Sequence, residues 1–333
     1  MIVRLAATRC RLPATVESVA SVMAREQQRM AEALDVLSPP LRQRLLAGLG
    51  LERVRVCGAG EEPYDLALAA ARDALGVAGI RGEDVDLVID YSTVSGGAGV
   101  NTPLAHRLSA DLGAQALALN FAFAGCAGFH IAVKQALALM RTDGRLRTAL
   151  LIAGDSPPPG SRSLLPITIQ GDAGSAAVLV RDGTEGPALV DVEVLTLGHL
   201  HRVITLERGS DGQPVIRVDA ARLEQHLMPV YYLYFHRLAT EVLRRAGLGM
   251  GAMSHVIHAN LSQSDRDGLA RALGVPSSRV CTHGLREYGH TFASDLVLNY
   301  TELQQTGAIR PEEWLLFTSA GAGFTWGVTL ARS

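Results

Sequence analysis

The stretch "CAGFHIAVKQALALMRTDGRLRTALLIAGD", residues 126–155, runs through three kinds of pattern in order. Apolar residues recur at helical spacing as far as Met140, Gly144 breaks the pattern, and an apolar run of strand length follows. A second stretch, "HTFASDLVLNYTELQQTGAIRPEEWLLFTSAG" at residues 290–321, repeats that order. An earlier pair matches in the same way. "PYDLALAAARDALGVAGI" at 63–80 leads into "DVDLVIDYST", and "YYLYFHRLATEVLRRAGLGM" at 231–250 leads into "MSHVIHANLS". The chain therefore reads as an internal duplication. Strands alternating with crossover helices predict parallel or mostly parallel sheets covered on both faces, giving an α/β fold of two layered halves, 1–183 and 184–333.

The duplication also bears on chemistry. It matches the start of the helix after Cys126 with the start of the helix after His290, and the end of the strand at 87–89 with the strand end where His258 sits. Equivalent ends meet at a pseudo-symmetric interface, so Cys126, His258 and His290 are expected to converge. Gly125, Ala127 and Gly128 leave room beside the sulfur for an acyl group. The unpaired N–H groups and dipole at a helix start favour a thiolate there, which makes Cys126 a candidate nucleophile able to carry a thioester. The other thiols, Cys10, Cys57 and Cys281, lie far apart without a CxxC pair and read as small core residues, which argues against a metal site.

The 333 residues are 48% hydrophobic, enough for one large core or two fused ones. The net charge of −2 carries no block of one sign, and Lys134 is the single lysine, so no nucleic-acid or acidic-membrane footprint is visible. The N-terminus lacks a signal-peptide pattern and no apolar run reaches the ~18 residues of a spanning helix, so a cytoplasmic location is expected.

Four motifs in order, "GCAGF", "QGDAGSAAVLV" (170–180), "IHAN" (257–260) and "SAGAGFTWGVTL" (319–330), resemble the β-ketoacyl-acyl carrier protein synthase III branch of the thiolase superfamily, from about Pro63 onward. The resemblance implies a five-layer αβαβα fold, a homodimer, no cofactor and a nucleophilic cysteine fed by acyl carrier protein or coenzyme A thioesters. Cys126 matches the family nucleophile and His258 the family histidine, in an "HQAN" motif shortened by one residue. The backbone N–H groups of Cys126 and Ala322 match the oxyanion hole; Asn260, Gly323, Phe324 and Arg162 become candidate substrate contacts. Gly171 and Asp172 read as a structural turn.

The chain also departs from the family pattern. "YGHTFAS" places His290 where synthase III enzymes carry Asn, so the expected set is Cys-His-His. The two tryptophans, Trp314 and Trp326, lie near the C-terminus and not where the family stacks adenine, and "SPPPGSRSLLP" at 156–166 differs from the usual loop. Together these favour a condensing enzyme of polyketide or related secondary metabolism, with His258 and His290 both donating to the enolate oxygen. The alternative is O- or N-acyl transfer without decarboxylation, with His258 as the base. A non-catalytic partner subunit is a third reading, against which Cys126 with both histidines argues. The apolar strand at 120–124 supports pairing of two chains.

Overall fold

The computed structural model describes residues 1–26, 39–40, 43, 47–94, 103–121, 125–209, 212 and 214–333. In chain order its strands are β1 (Val3–Arg11), β2 (Thr15–Ser18), β3 (Arg53–Val56), β4 (Leu87–Asp90), β5 (Leu117–Asn120), β6 (Thr148–Asp155), β7 (Ser163–Leu164) and β8 (Thr168–Ile169). There follow β9 (Ala173–Arg181), β10 (Ala188–Thr196), β11 (Ile204–Arg208), β12 (Pro214–Val218), β13 (Met253–His258), β14 (Val280–Cys281), β15 (Trp314–Gly321) and β16 (Thr325–Arg332). The main sheet has the order β14-β13-β15-β16-β10-β1-β9-β6-β4-β5. Numbering the strands of each half from its own start, both halves read 3-2-4-5-1, so the duplication seen in sequence is a duplication of topology. The expectation of parallel pairing holds for β4 with β5 and β6, and for β13 with β14 and β15. It fails for β1, β9, β10 and β16, which pair antiparallel with their neighbours. No crossover helix precedes the closing strand in either half: β16 returns from β15 across the tight turn 322–324, a hairpin that enforces antiparallel pairing, and β9 returns from β6 through the longer segment 156–172, which carries β7 and β8.

Three helical layers sandwich the two half-sheets. The helices Gly128–Thr142 and Asp295–Gln305 share the central core, where Phe129, Val133 and Met140 meet Leu296, Tyr300 and strand residues of both halves such as Ile89, Ile257 and Phe317. Each large side chain buried there contributes about 1.5–3 kcal/mol. Pro63–Ala78 and Leu104–Leu112 cover one outer face. Tyr231–Arg245 and Gln263–Leu273 cover the other. Because helices lie on both faces, β6 is buried along its whole length and reads as a continuous apolar run. The helix Pro63–Ala78 is bounded by local chemistry: a Glu62/Asp65 capping box with Pro63 at its start, and Gly79 in the left-handed conformation at its end.

Among the described residues no helix is long and apolar enough to cross a membrane. Of the strand expected at 120–124, residues 122–124 lie outside the described residues.

Close approach of helix to sheet sets one sharp constraint. A Cβ on Gly174 would stand 2.2 Å from the backbone of Leu66 and Ala67, whereas a Cβ on Gly76, in the same helix as those two, would meet nothing within 4 Å. Gly174→Ala is expected to lose ~3 kcal/mol or more through backbone displacement. Gly76→Ala should gain about 0.5–1 kcal/mol by lowering the entropy of the unfolded chain. Urea denaturation of both variants checks this; a Gly174→Ala protein as stable as the parent contradicts the packing.

Candidate active site

Cys126 lies in the 3-10 turn Gly125–Ala127 that runs straight into the helix Gly128–Thr142. The turn is fixed from the opposite half. Gly125 has a φ of 61°, and a Cβ there would stand 2.8 Å from Gly321 Cα and 2.9 Å from Ala322 N. Only glycine permits that approach. Ser319 Oγ donates to the Cys126 carbonyl at 2.8 Å and ties the same two segments. The backbones of Cys126 and Ala322, the candidate oxyanion donors, are thereby brought side by side.

His290 Nε2 stands 3.1 Å from Cys126 Sγ. On its other side, His290 Nδ1 donates to Asp295 Oδ2 at 2.6 Å. Asp295 is fully buried and accepts three more hydrogen bonds: from Asn260 N at 2.7 Å, and from Thr291 N and Thr291 Oγ1, both at 2.7 Å. With four donors converging on it, Asp295 acts as a pure acceptor, which fixes His290 with Nδ1–H toward Asp295 and Nε2 toward the thiol. Burial disfavours a charged His290, but the Cys126 and Asp295 charges and hydrogen bonds outweigh it and raise the imidazole pKa well above its ordinary range. The arrangement is a hydrogen-bonded Cys126–His290–Asp295 chain.

His258 departs from the expected convergence. It ends β13 as expected, but it is wholly buried against Phe235, with ring centroids 5.4 Å apart, and does not line the cavity. Both its nitrogens are engaged: Nδ1 is 2.9 Å from the Thr318 carbonyl and hydroxyl oxygens, and Nε2 is 2.8 Å from Asp265 Oδ2. The carboxylate of Asp265, which does line the cavity, takes the N–H that the sequence reading aimed at substrate.

Two further candidates are corrected. Arg162 is held in a bidentate pair with the buried Asp172, at 2.7 and 2.9 Å, and also donates to the Gln170 carbonyl, so its guanidinium is committed inside the protein and not offered to a phosphate. Asp172 accepts from Cys57 N as well, which makes the "GDAG" segment an anchor and more than a turn. Asn260 is buried and off the cavity wall; its N–H serves Asp295 and its Oδ1 accepts from Asn299.

Gly323 and Phe324 do line the cavity, with Cys126, His290 and Ala322. The cavity holds about 820 Å³, and much of its wall is aliphatic, including Leu164, Ile167, Leu223 and Met228. Sequence reasoning missed Asp295, Asp265 and Tyr231. The signal for Asp295 was present as the one charged residue in "FASDLVL" at the start of a buried helix. Among the described residues, no group of three or more His, Cys, Asp and Glu side chains is arranged to hold a metal ion.

With this geometry in place, similarity to known proteins is informative. Residues 243–333 match the model of the 3-oxoacyl-[acyl-carrier-protein (ACP)] synthase III C-terminal family. A β-ketoacyl-[acyl-carrier-protein] synthase III of Rhodospirillum rubrum is 28% identical over 316 residues, 91% of this chain and 93% of the relative. The crystal structure of 3-oxoacyl-(acyl carrier protein) synthase III from Pseudomonas aeruginosa PAO1 superposes with a TM-score of 0.81 at 24% identity, covering 100% of this chain and 98% of that one. The structure of the acyltransferase ChlB3 superposes with a TM-score of 0.80 at 24% identity over the same shares. The chain is synthase III-like and its fold thiolase-like.

The other thiols are poorly placed to compete with Cys126. Burial, with help from Asp172, pushes Cys57 up to about 12, and burial pushes Cys281 up to about 11; burial raises Cys10 further still. Iodoacetamide near neutral pH should therefore alkylate Cys126 first, read by peptide mass mapping. His290→Ala should slow that reaction by about tenfold or more, since an unassisted thiol is only a few per cent ionised at pH 7. Faster labelling of Cys10, Cys57 or Cys281 contradicts the assignment.

Proposed function

We propose that this synthase III-like chain is an acyltransferase that loads an acyl group on Cys126 from a carrier-protein or coenzyme A thioester and passes it to an alcohol or amine without loss of carbon dioxide. The observation that carries this reading is the hydrogen-bonded Cys126–His290–Asp295 chain beside a histidine, His258, whose Nε2 is already taken by Asp265. Decarboxylation of a malonyl-type thioester leaves charge on the thioester oxygen, which needs donors aimed at it. Here His258 offers none to the cavity, and Asp295 orients His290 as a base, which is what transfer to a hydroxyl requires.

In the first half-reaction the Cys126 sulfur attacks the thioester carbonyl, and the oxyanion lies toward the N–H groups of Cys126 and Ala322. As the new C–S bond forms and the old one breaks, His290 gives its Nε2 proton to the departing carrier thiolate. In the second, His290 Nε2 takes the proton of the acceptor hydroxyl as its oxygen attacks the acyl carbon. The Cys126 thiolate leaves, and the imidazolium–thiolate pair is restored. Every proton passes through one nitrogen, so His258 is left as a packing residue.

A second reading, decarboxylative carbon–carbon condensation in polyketide or related metabolism, draws support from relatives named as synthase III and from the match to their C-terminal model. The two part on one measurement. Purified protein is incubated with a panel of acyl and malonyl thioesters, Cys126 acylation is followed by intact mass, and alcohols and amines are then added. Ester or amide is expected with no release of carbon dioxide. Asp295→Asn should slow transfer by ~10²-fold or more, since the amide cannot accept from every donor that now converges there. Carbon dioxide release with a lengthened acyl chain overturns the proposal in favour of condensation.

A further inference from the structure

Within the aliphatic wall of the cavity, Tyr231 presents a hydroxyl that is buried and has no hydrogen-bond partner among the described residues. The ring is held in place. It meets Tyr232 and Phe235 edge-on, with centroids 5.1 and 5.3 Å away, tilts against Trp326, and its backbone carbonyl accepts from Trp326 Nε1 at 3.0 Å. The hydroxyl therefore faces the cavity with no acceptor among the described residues, although unsatisfied buried polar groups are rare and costly. Burial, then the charges of Asp265, Tyr232 and Cys126, raise the phenol pKa well above its ordinary range, so it is a donor and not a base.

Asp265 supplies the complementary group. Its Oδ2 takes His258 Nε2, and its Oδ1 accepts from Tyr232 Oη at 3.2 Å with a lone pair to spare. Donor and acceptor thus line the same cavity. An ammonium would donate to Asp265 but could not accept from the phenol. A carboxylate would be repelled by Asp265, and a carbonyl would satisfy only Tyr231. A hydroxyl satisfies both.

We propose that Tyr231 and Asp265 form an acceptor subsite for a second hydroxyl, so that the favoured acceptor is a diol with one hydroxyl at His290 and the other held between these two side chains. This rests on the acyl-transfer reading, and the test separates the two. Binding of a vicinal octanediol and of octanol is measured by calorimetry on Cys126→Ser protein, where no chemistry occurs. The diol should bind roughly tenfold more tightly, the worth of about one hydrogen bond out of reach of water. Tyr231→Phe in that background should abolish the difference and melt no lower than its parent, because the hydroxyl it removes has no partner. Equal binding of the two alcohols, a preference that survives Tyr231→Phe, or a large drop in melting temperature overturns the subsite. If wild-type protein esterifies octanol and the diol equally, the subsite falls and acyl transfer stands. If the diol binds preferentially yet no ester forms, acyl transfer falls and the subsite stands.

Discussion

One buried carboxylate holds the reactive centre together. Asp295 lies at the first turn of a helix in the central layer, where an unpaired charge would be prohibitively expensive. Its stability there depends on the four donors from His290, Asn260 and Thr291, and those donors are held in turn by it. Asn260 follows β13, while Thr291 and His290 sit in the segment before the helix, so a single side chain locks the end of a strand to the start of a helix. The direction in which His290 points follows from that lock, and so does the proximity of His290 to Cys126.

The two acid–histidine pairs of the C-terminal half show how environment divides chemically similar groups. His290–Asp295 has one nitrogen left facing the cavity and a sulfur waiting there. His258–Asp265 has both nitrogens saturated, and its acid, not its imidazole, reaches the wall. Identical residue types are therefore placed differently: one pair leaves an imidazole nitrogen beside the thiol, while the other turns its imidazole into the core and its carboxyl toward the cavity.

Much of this was legible in the sequence. The helix–turn–strand units of 126–155 and 290–321 announced the duplication because their hydrophobic periods change where the elements do. Cys126 and His290 could be placed at corresponding helix starts for the same reason. The antiparallel returns of β9 and β16 could not be read, since a fully buried strand shows the same apolar run in either direction. Nor could the orientation of His258. Whether an imidazole at a strand end turns toward a cavity or a carboxylate depends on Asp265, in the next helix, and Thr318, on a strand 60 residues later. Arg162 misled in the same way: a basic residue in a Pro-rich loop looks exposed until Asp172 is seen beneath it.

The hairpin of β11 and β12 adds Ile204, Leu206 and Ile216 to the cavity wall, yet it forms a two-stranded ribbon outside the main sheet. Its register is set by its own pairing, while Val203, Ile204 and Val218 at its base pack with Ala320, Phe324 and Trp326. Exchanges at Leu206 or Ile216, which face each other across the ribbon, alter the cavity wall without altering the ladder of the main sheet. The ribbon that shapes the far wall and the ladder that positions Cys126 and His290 are in that sense separate pieces of backbone, joined through side-chain packing and not through shared hydrogen bonds of a sheet.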